Sequence, residues 1–374
     1  MGDYARRLAG ECIRQGHPSV ILSLNDTQIS RPTEDFQDSQ GTAVAVLRLP
    51  SVLSWSARVI KAGSWVNTFD PDWTSLQFVP FGFHPRGFCL GLGKRLLTIC
   101  PRKKWHVMFH ELWLGLGRRA SAKYHIWGAV QRMTVRKLIR RVNPEVQHTQ
   151  AEPYRKVLAK EGIQAHRLPL FSNIPCVEGD GWGQILGPLI AQGSGKPQHR
   201  QTLYLAGVFG AVHPEWDAEQ TVAMLLPLVR RFRKQLALLF IGKNNLSPEA
   251  FASLKSRLRN RAVVIATGER TSLEVSQMLQ TLDLGLATTP RQLIQKSGAA
   301  AAMLEHGLQI LATRDDWQLQ SGPELEDTAW LLTPQRIATL DILPSRKCEP
   351  PVEIRIEAVT AKLLRDLGAG SSPP

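Results

Sequence analysis

Short apolar runs alternate with longer segments of helical periodicity along most of the chain. Runs of about 4 to 8 residues rich in valine, isoleucine and leucine are typical of buried strands, whereas apolar residues spaced three and four apart indicate helices. The first helix has this spacing at Ala5, Leu8 and Cys12, can be capped by Asp3, and ends at Gly16. The pattern therefore predicts strands and helices that follow one another in turn.

The same criteria predict the other elements in both halves of the chain. Strands are expected at residues 20–24, 43–49, 74–79, 106–109, 146–149, 202–208, 236–241, 262–266, 282–287 and 308–312. Helices are expected at residues 120–141, 152–160, 215–234, 248–258, 271–281, 295–306 and 352–367. Repeated strand–helix units favour parallel sheets with helices on both faces.

A stretch rich in glycine, proline and glutamine, residues 176–200, separates two such blocks and is typical of a linker. We therefore predict an α/β chain with two Rossmann-like domains. The predicted divisions are an N-terminal domain at 1–175, the linker at 176–200, a second domain at 201–350, and a C-terminal helix with a frayed tail at 351–374. Ligands of open parallel sheets bind at the carboxyl ends of the strands, so the cleft between two facing domains is the expected site.

The composition is that of an ordinary globular protein. The chain has 374 residues, of which 43% are hydrophobic and 21% charged, and these values exclude a mostly disordered chain or a collagen-like repeat. The longest apolar runs, such as residues 236–241, are far shorter than the roughly 18 to 20 residues of a membrane span. The five cysteines form no Cys-x-x-Cys pair, so we expect free thiols and a cytoplasmic location.

The net charge of +14 is concentrated in the first half of the chain. Between Arg86 and Arg141 there are 14 Lys and Arg residues and one acid, Glu111. Three interpretations stay open: a solvated basic face, attraction to an anionic membrane leaflet or acceptor, and nucleic acid binding. The sequence contains no helix-turn-helix, zinc-finger or aromatic RNA-binding signature, which disfavours nucleic acid as a partner.

His110 and Glu111 directly follow the predicted strand at 106–109 and are the candidate catalytic residues. They match a zinc-protease motif only in part, because Leu114 occupies the position of the second metal-binding histidine. In a strand, His106 and His110 would share a face without converging on one point. We therefore expect no metal site. The pair is either a hydrogen-bonded strand-end turn or a polar pair that faces the cleft.

Two strand-to-helix turns in the second half are candidate sites for an anionic ligand. Lys296-Ser297-Gly298 opens an alanine-rich helix, where backbone N–H groups and a lysine can bind a diphosphate. Gly210, followed by His213, lets the backbone approach a ligand after the first strand of this half. Either segment can equally be a plain helix cap or turn. No Walker loop or Gly-x-Gly-x-x-Gly turn follows a predicted strand, so a kinase, an ATPase or a dinucleotide oxidoreductase is not expected.

Several of these segments resemble the GT-B glycosyltransferases of the family 1 and family 4-like group. Residues 2–17 resemble the first helix after that group's glycine loop. Residues 76–83 and 109–113 resemble two strand ends of the acceptor domain, and residues 171–175 resemble the exit from it. Residues 296–307 resemble the donor-domain helix that meets the nucleotide sugar. The resemblance covers nearly the whole chain.

The resemblance implies a hexosyltransferase-like enzyme whose two domains face each other across a cleft. Residues 1–175 would then be the acceptor-binding domain and residues 201–350 the nucleotide-sugar-binding domain. Such an enzyme would move a sugar from a nucleotide diphosphate sugar to a glycan or lipid-linked acceptor, with retention, in envelope polysaccharide or glycolipid synthesis. It implies no metal and no other cofactor, and the basic stretch would place the protein peripherally on the inner face of the membrane. The implied site residues are His110 and Glu111 for catalysis, Gly210, His213, Lys296, Ser297 and Gly298 for the donor, and Gly2, Phe81 and His84 at the acceptor or its loops.

Two departures from the group's pattern leave another function open. Many relatives carry two glutamates in the donor-domain region, and counting back from Gly307 places Ala302 and Ile294 at those positions. The chain also begins directly with the first helix, so we expect the N-terminal domain to lack its first strand and the upstream reading frame to encode it. The alternative function is that of a catalytically silent GT-B protein which acts as a binding or assembly partner.

Overall fold

The computed structural model describes residues 2–319, 328–344 and 349–368. The elements of the first part of the chain are α1 (Gly2–Arg14), β1 (Val20–Asp26), β2 (Thr33–Ser39), β3 (Thr42–Pro50), α2 (Trp55–Phe69), β4 (Trp73–Phe78), α3 (Pro80–Phe83), α4 (Leu92–Ile99), β5 (Lys104–Phe109), α5 (Ala122–Val142), β6 (Val146–Thr149), α6 (Glu152–Lys160) and β7 (His166–Arg167).

The later elements are α7 (Gly187–Ser194), β8 (Leu203–Phe209), α8 (Ala218–Arg231), β9 (Gln235–Ile241), α9 (Pro248–Leu258), β10 (Val263–Ala266), α10 (Ser272–Thr281), β11 (Leu284–Ala287), α11 (Gly298–Glu305), β12 (Ile310–Ala312), β13 (Leu331–Leu332), α12 (Pro334–Ala338) and α13 (Ile356–Asp366). A π-helix occupies Trp182–Leu186, and 3₁₀ helices occupy Arg200–Thr202, Arg291–Lys296 and Val352–Ile354.

The described residues form two compact units. Unit 1 comprises residues 2–169, 318–319 and 356–368, and unit 2 comprises residues 170–317, 328–344 and 349–355. The last helix, α13, therefore belongs to unit 1 although unit 2 precedes it in the sequence. It packs against α1, buries Val359 and Leu363, and its Glu357 carbonyl accepts a hydrogen bond from Gln15 Nε2 at 3.1 Å.

Unit 2 contains one six-stranded parallel sheet in the order β10-β9-β8-β11-β12-β13. Residues 236–241 of β9 are all 0 or 1% exposed, because apolar clusters cover both faces of the sheet. A parallel sheet is stable only with such cover, and the helices between the strands supply it. The predicted parallel α/β fold is thereby confirmed.

Unit 1 contains two sheets, in the orders β1-β3-β2 and β4-β5-β6-β7. All pairs of neighbouring strands are parallel except β2 and β3, which are antiparallel. The sequence did not predict β2, because six of its seven residues are polar and Phe36, its one apolar residue, is exposed. Its extended conformation comes from pairing with β3. The helices α2 and α4 were also not predicted.

The prediction of a linker at residues 176–200 was wrong. This segment forms the π-helix Trp182–Leu186 and α7, and its residues Ile185, Leu186 and Ile190 lie in the apolar core of unit 2. Their helical spacing was a valid signal that the many glycines and prolines obscured.

The end of the chain also differs from its prediction. The helix expected at 352–367 begins at Ile356, because the preceding 3₁₀ turn Val352–Ile354 follows a pair of prolines. Within the described residues, Cys12, Cys89, Cys100 and Cys176 are free thiols. The predicted frayed tail from residue 369 onward and Cys348 lie outside the described residues.

Two helical glycines should respond in opposite ways to alanine substitution. A Cβ on Gly128 in α5 would stand 2.0 Å from the carbonyl oxygen of Leu114, whereas a Cβ on Gly63 in α2 would have its nearest neighbour, the oxygen of Ile99, at 3.8 Å. Gly128→Ala should lower the free energy of unfolding by about 1 to 3 kcal/mol through this backbone clash. Gly63→Ala, the control, should raise it by about 0.5 to 1 kcal/mol. Urea denaturation measures both, and equal effects would contradict the close approach at Gly128.

Candidate functional site

The loops that follow β8, β9, β11 and β12 lie side by side at the carboxyl edge of the unit 2 sheet, because these parallel strands are neighbours. The N–H of Val212, after β8, donates to Asn245 Oδ1 at 2.7 Å, and the N–H of His213 donates to Thr288 Oγ1 at 3.1 Å. Asn245 follows β9 and Thr288 follows β11. The loop that carries Gly210 and His213 is therefore held by both of its neighbours.

Arg314, two residues after β12, is the buried charge of this edge, with a side chain only 4% exposed. Its guanidinium donates to both carboxylate oxygens of Asp316, at 2.9 and 2.6 Å, and to Glu215 Oε2 at 2.5 Å. Its Nη1 also donates to His213 Nδ1 at 2.5 Å. That bond requires a lone pair on Nδ1, so neutral His213 carries its proton on Nε2.

The electrostatics of this cluster favour a neutral His213. Burial, and then the charge of Arg314, lower the pKa of His213. The hydrogen bonds from Arg314 lower the pKa of Asp316, so that this carboxyl is ionised. Two carboxylates surround one guanidinium, so the cluster does not itself attract an anion. The cluster instead holds His213 in the tautomer whose Nε2–H can donate a hydrogen bond. The His213 side chain is 39% exposed.

Lys296, Ser297 and Gly298 lie at the start of α11. Ser297 is its cap, with Oγ accepting from the N–H of Ala300 at 3.2 Å, and Lys296 is the last residue of the preceding 3₁₀ helix. The helix predicted at 295–306 thus begins three residues late, because Ser297 is extended. A Cβ at Gly298 would have no atom within 4 Å, and the same holds at Gly210, whose φ is +73°. Both glycines leave the backbone open to a ligand, on loops that follow adjacent strands.

His110, directly after β5, is held on both sides of its ring. Its Nε2 meets Gln77 Oε1 at 2.8 Å and its Nδ1 meets the Gln150 amide nitrogen at 2.8 Å. The ring of Tyr4 packs edge-on with a centroid distance of 4.7 Å, and His110 is 6% exposed. The structure therefore makes His110 a fixed, nearly buried polar group at the carboxyl edge of the β4–β7 sheet.

The other candidates of unit 1 are Glu111, His84, Phe81 and Gly2. Glu111 accepts a hydrogen bond from the Tyr154 hydroxyl at 3.3 Å, and burial followed by this carboxylate raises the pKa of Tyr154. His84 ends α3, and its Nδ1 accepts from the backbone N–H groups of the turn after it. Phe81 in α3 is 44% exposed. Gly2 is the exposed first residue of α1 rather than part of a loop.

A pair of histidines, His106 and His148, lies buried in the same sheet. His106 Nε2 meets His148 Nδ1 at 3.0 Å, and His148 Nε2 meets Asp366 Oδ2, from α13, at 2.8 Å. Lys362 also donates to Asp366, at 2.6 Å. Both histidines are 0% exposed.

Sequence reasoning named candidate residues at strand ends but not the partners that hold them in place. Thr288 and Arg314 lie within two residues of predicted strand ends, so the rule that selected His110 as a candidate could also have selected them. The pair His148 and Asp366 is 218 positions apart, and no local pattern connects them. In the part of the chain that the structure describes, no group of three or more His, Cys, Asp or Glu residues is placed to hold a metal ion.

No protein-family model matches the chain, and no curated protein matches its sequence. Solved structures match over nearly its whole length. Sucrose-phosphate synthase from Thermosynechococcus elongatus is 12% identical with a TM-score of 0.59, covering 98% of this chain and 93% of its own. HepE from Anabaena, in complex with UDP, is 11% identical with a TM-score of 0.58, covering 99% and 96%. α,α-Trehalose 6-phosphate synthase from Burkholderia multivorans is 8% identical with a TM-score of 0.55, covering 100% and 97%.

The similarity to these structures is a similarity of fold. It extends over both units. The chain has the two-domain GT-B fold.

The buried histidines should make the protein less stable in acid. Burial, and then the His148 charge, lower the pKa of His106 well below its ordinary value of 6.5, and burial also lowers the pKa of His148. The unfolded chain therefore binds more protons, so stability is present above about pH 6.5 and is lost as the pH falls below it. Each such proton changes the free energy of unfolding by about 1.4 kcal/mol per pH unit.

Urea denaturation between pH 5 and 8 tests this expectation. His106→Gln should flatten the dependence below about pH 6.5, whereas the control His199→Gln, at an exposed position, should leave it unchanged. A dependence that is equally steep in both variants would show that His106 does not carry it.

Proposed function

We propose that this chain is a glycosyltransferase that moves a sugar from a nucleotide diphosphate sugar to an acceptor hydroxyl. The observation that carries the proposal is the carboxyl edge of unit 2. There the start of α11, with Lys296, and the loop of Gly210 and His213 follow adjacent parallel strands. Support comes from the matching structure of HepE, which is a complex with UDP.

The chemistry of this edge suits a diphosphate. The N–H groups of the first turn of α11 and the ammonium of Lys296 would face the phosphate oxygens, with no side chain at Gly298 or Gly210 to obstruct them. The Nε2–H of His213 would add a donor. Negative charge develops on the diphosphate as the bond between it and the sugar breaks. Fixed hydrogen-bond donors stabilise this charge without reorganisation. We propose that these groups act without a metal.

Unit 1 would supply the acceptor side. His110 and Glu111 would lie at the reacting sugar or the acceptor hydroxyl, with Gly2, Phe81 and His84 at the acceptor or its loops. The half-exposed ring of Phe81 offers an apolar contact to a glycan or to the lipid of a lipid-linked acceptor. Retention of the anomeric configuration and a role in envelope polysaccharide or glycolipid synthesis complete the proposal.

A second candidate is a catalytically silent protein that binds without turnover. Many relatives in the group carry glutamates where this chain has Ile294 and Ala302. These two residues are 2% and 0% exposed and lie in the apolar core of unit 2, so that neither position offers a carboxylate to a donor ribose.

Product analysis separates the two candidates. The protein is incubated with a panel of nucleotide sugars, with and without glycan and glycolipid extracts, and released nucleotide diphosphate and glycosylated acceptor are quantified. Transfer requires both products in equal amounts. A rise in melting temperature with nucleotide diphosphate but no release would favour the silent protein. Conversion of the donor sugar to an epimer without any acceptor would overturn the transferase proposal.

Lys296→Ala should weaken binding of UDP, the diphosphate of the matching structure, by about 1.5 to 3 kcal/mol, the range for a charge-assisted hydrogen bond. Lys255→Ala is the control, because Lys255 is an exposed lysine on α9 and its loss changes the net charge equally. Isothermal titration calorimetry measures both affinities. Equal affinities of the two variants would remove Lys296 from the site.

We also propose that unit 1 binds an anionic membrane surface. Arg132, Met133, Arg136, Lys137 and Arg140 line a groove of about 290 Å³ on the outward face of α5. The spacing of 100° per residue puts Ile126, which is 66% exposed, on the same face. Basic side chains around exposed apolar ones are typical of helices that lie on anionic bilayers. In the described residues, no helix is long and apolar enough to cross a membrane.

The double variant Lys137→Gln/Arg140→Gln should bind vesicles of anionic phospholipid about 30-fold more weakly than the unchanged chain, since each basic residue near the surface contributes roughly 1 kcal/mol. The control Lys255→Gln/Arg261→Gln removes the same charge from exposed positions of unit 2. Vesicle sedimentation at about 0.15 M salt, where the screening length is about 8 Å, measures binding. Equal binding to neutral and anionic vesicles would contradict an electrostatic attachment.

A further inference from the structure

Six hydrogen bonds join seven side chains of unit 1 into one continuous chain. Its members, in order, are Asp366, His148, His106, Ser75, Gln77, His110 and Gln150. The distances between successive hydrogen-bonding atoms are 2.8, 3.0, 2.8, 2.7, 2.8 and 2.8 Å. The chain crosses the neighbouring strands β6, β5 and β4 and returns to the residues that follow β5 and β6.

The carboxylate at one end gives this chain a direction. A carboxylate can only accept hydrogen bonds, so His148 must donate to Asp366 from Nε2. Neutral His148 then has a lone pair on Nδ1, and His106 must donate to it from Nε2. His106 in turn has its lone pair on Nδ1. Both histidines are 0% exposed, and burial lowers the pKa of each, which keeps them neutral.

Ser75 passes this direction to the second half of the chain. Its hydroxyl proton must go to the lone pair of His106 Nδ1, so its oxygen can only accept from its other neighbour, Gln77. The Gln77 amide nitrogen therefore faces Ser75, and its oxygen faces His110. That oxygen accepts from His110 Nε2, which leaves the lone pair on Nδ1, where the Gln150 amide donates.

We propose that Asp366 is a positioning residue that holds His110 as the Nε2–H tautomer, through a one-directional chain of hydrogen bonds. The other end of the hydrogen-bond chain offers no such constraint, because the amide of Gln150 could present its oxygen or its nitrogen. The carboxylate of Asp366 alone among these seven side chains cannot reverse its role. Without it, the five remaining hydrogen bonds can all be formed in the opposite direction.

The consequence for His110 rests on the proposed function. A defined lone pair on Nδ1 makes this atom the acceptor for a hydrogen bond from a substrate hydroxyl, which would take the place of the Gln150 amide. When the hydrogen bonds run in the opposite direction, Nδ1 of His110 carries the proton and cannot accept a hydrogen bond. Asp366 would thus keep His110 in its accepting form without contact with the substrate.

Nitrogen NMR of the ring nitrogens, with ¹⁵N-histidine in the full chain at pH 7.5, tests the proposal directly. The protein contains 10 histidines, so single His→Gln variants assign the signals. In the unchanged chain, His106, His110 and His148 should each show a protonated Nε2 and an unprotonated Nδ1. In Asp366→Ala, part of the protonated signal of His110 should shift from Nε2 to Nδ1.

Three further variants separate positioning from folding. Ser75→Ala interrupts the row of hydrogen bonds between His106 and Gln77. His110 should therefore lose its defined tautomer, while His148 keeps its own. Asp366→Glu retains a carboxylate and should restore the tautomers. Lys362→Gln removes the ammonium beside Asp366 but leaves the carboxylate, and it should change none of the three histidines. A merely structural role would give all destabilising variants the same signature.

The proposal is overturned if His110 of the unchanged chain is protonated on Nδ1, or if Asp366→Ala leaves all three tautomers unchanged. These outcomes do not depend on turnover. If the tautomers respond as expected but no sugar is transferred, the proposed function fails and the positioning role stands. If sugar is transferred, Asp366→Ala should lower kcat while KM for the donor stays constant, and Asp366→Glu should recover it.

Discussion

A parallel sheet is stable only when both of its faces are covered, and this requirement shapes both the core and the chemistry of unit 2. Its central strands are filled by residues such as Leu205, Leu239 and Leu286, which are at most 1% exposed and leave no room for polar groups. Polar side chains for a functional site can then be placed only where the strands end. All strands of the sheet point the same way, so these ends form one edge. His213, Thr288 and Arg314 stand there together because the sheet excludes them elsewhere.

Unit 1 meets the same requirement differently. It places polar side chains inside the sheet and satisfies them in pairs, so that His106 and His148 are buried without contact with solvent. An unpaired polar group in such a place costs more than a hydrogen bond returns, which makes the network sensitive to every member. Within unit 1, the residues that we propose orient His110 therefore also contribute to the stability of the fold.

The sequence predicted those parts of the fold that local pattern determines. Helix α9 begins and ends as predicted at Pro248 and Leu258, because Ser247 caps it and its apolar spacing is regular. Strand β2 escaped prediction because pairing, and not its own polar residues, makes it extended. The candidate site shows the same limit. His110 directly follows a strand and Lys296 comes just before a helix, so local pattern was enough to predict them as site residues. Asp366, in contrast, bonds to His148, 218 positions away, and nothing near it in the sequence reveals this.

The return of α13 to unit 1 has a consequence for how the protein is made. A ribosome synthesises residues 170–355 after most of unit 1 and before α13, which takes roughly 10 to 40 s at ordinary elongation rates. During this interval α1 lacks the helix that packs on it, and His148 lacks its carboxylate. The part of the molecule that emerges first is therefore completed last. Unit 2 can therefore finish folding while unit 1 is still an incomplete intermediate. The apolar surface that this intermediate exposes is of the kind that chaperones bind.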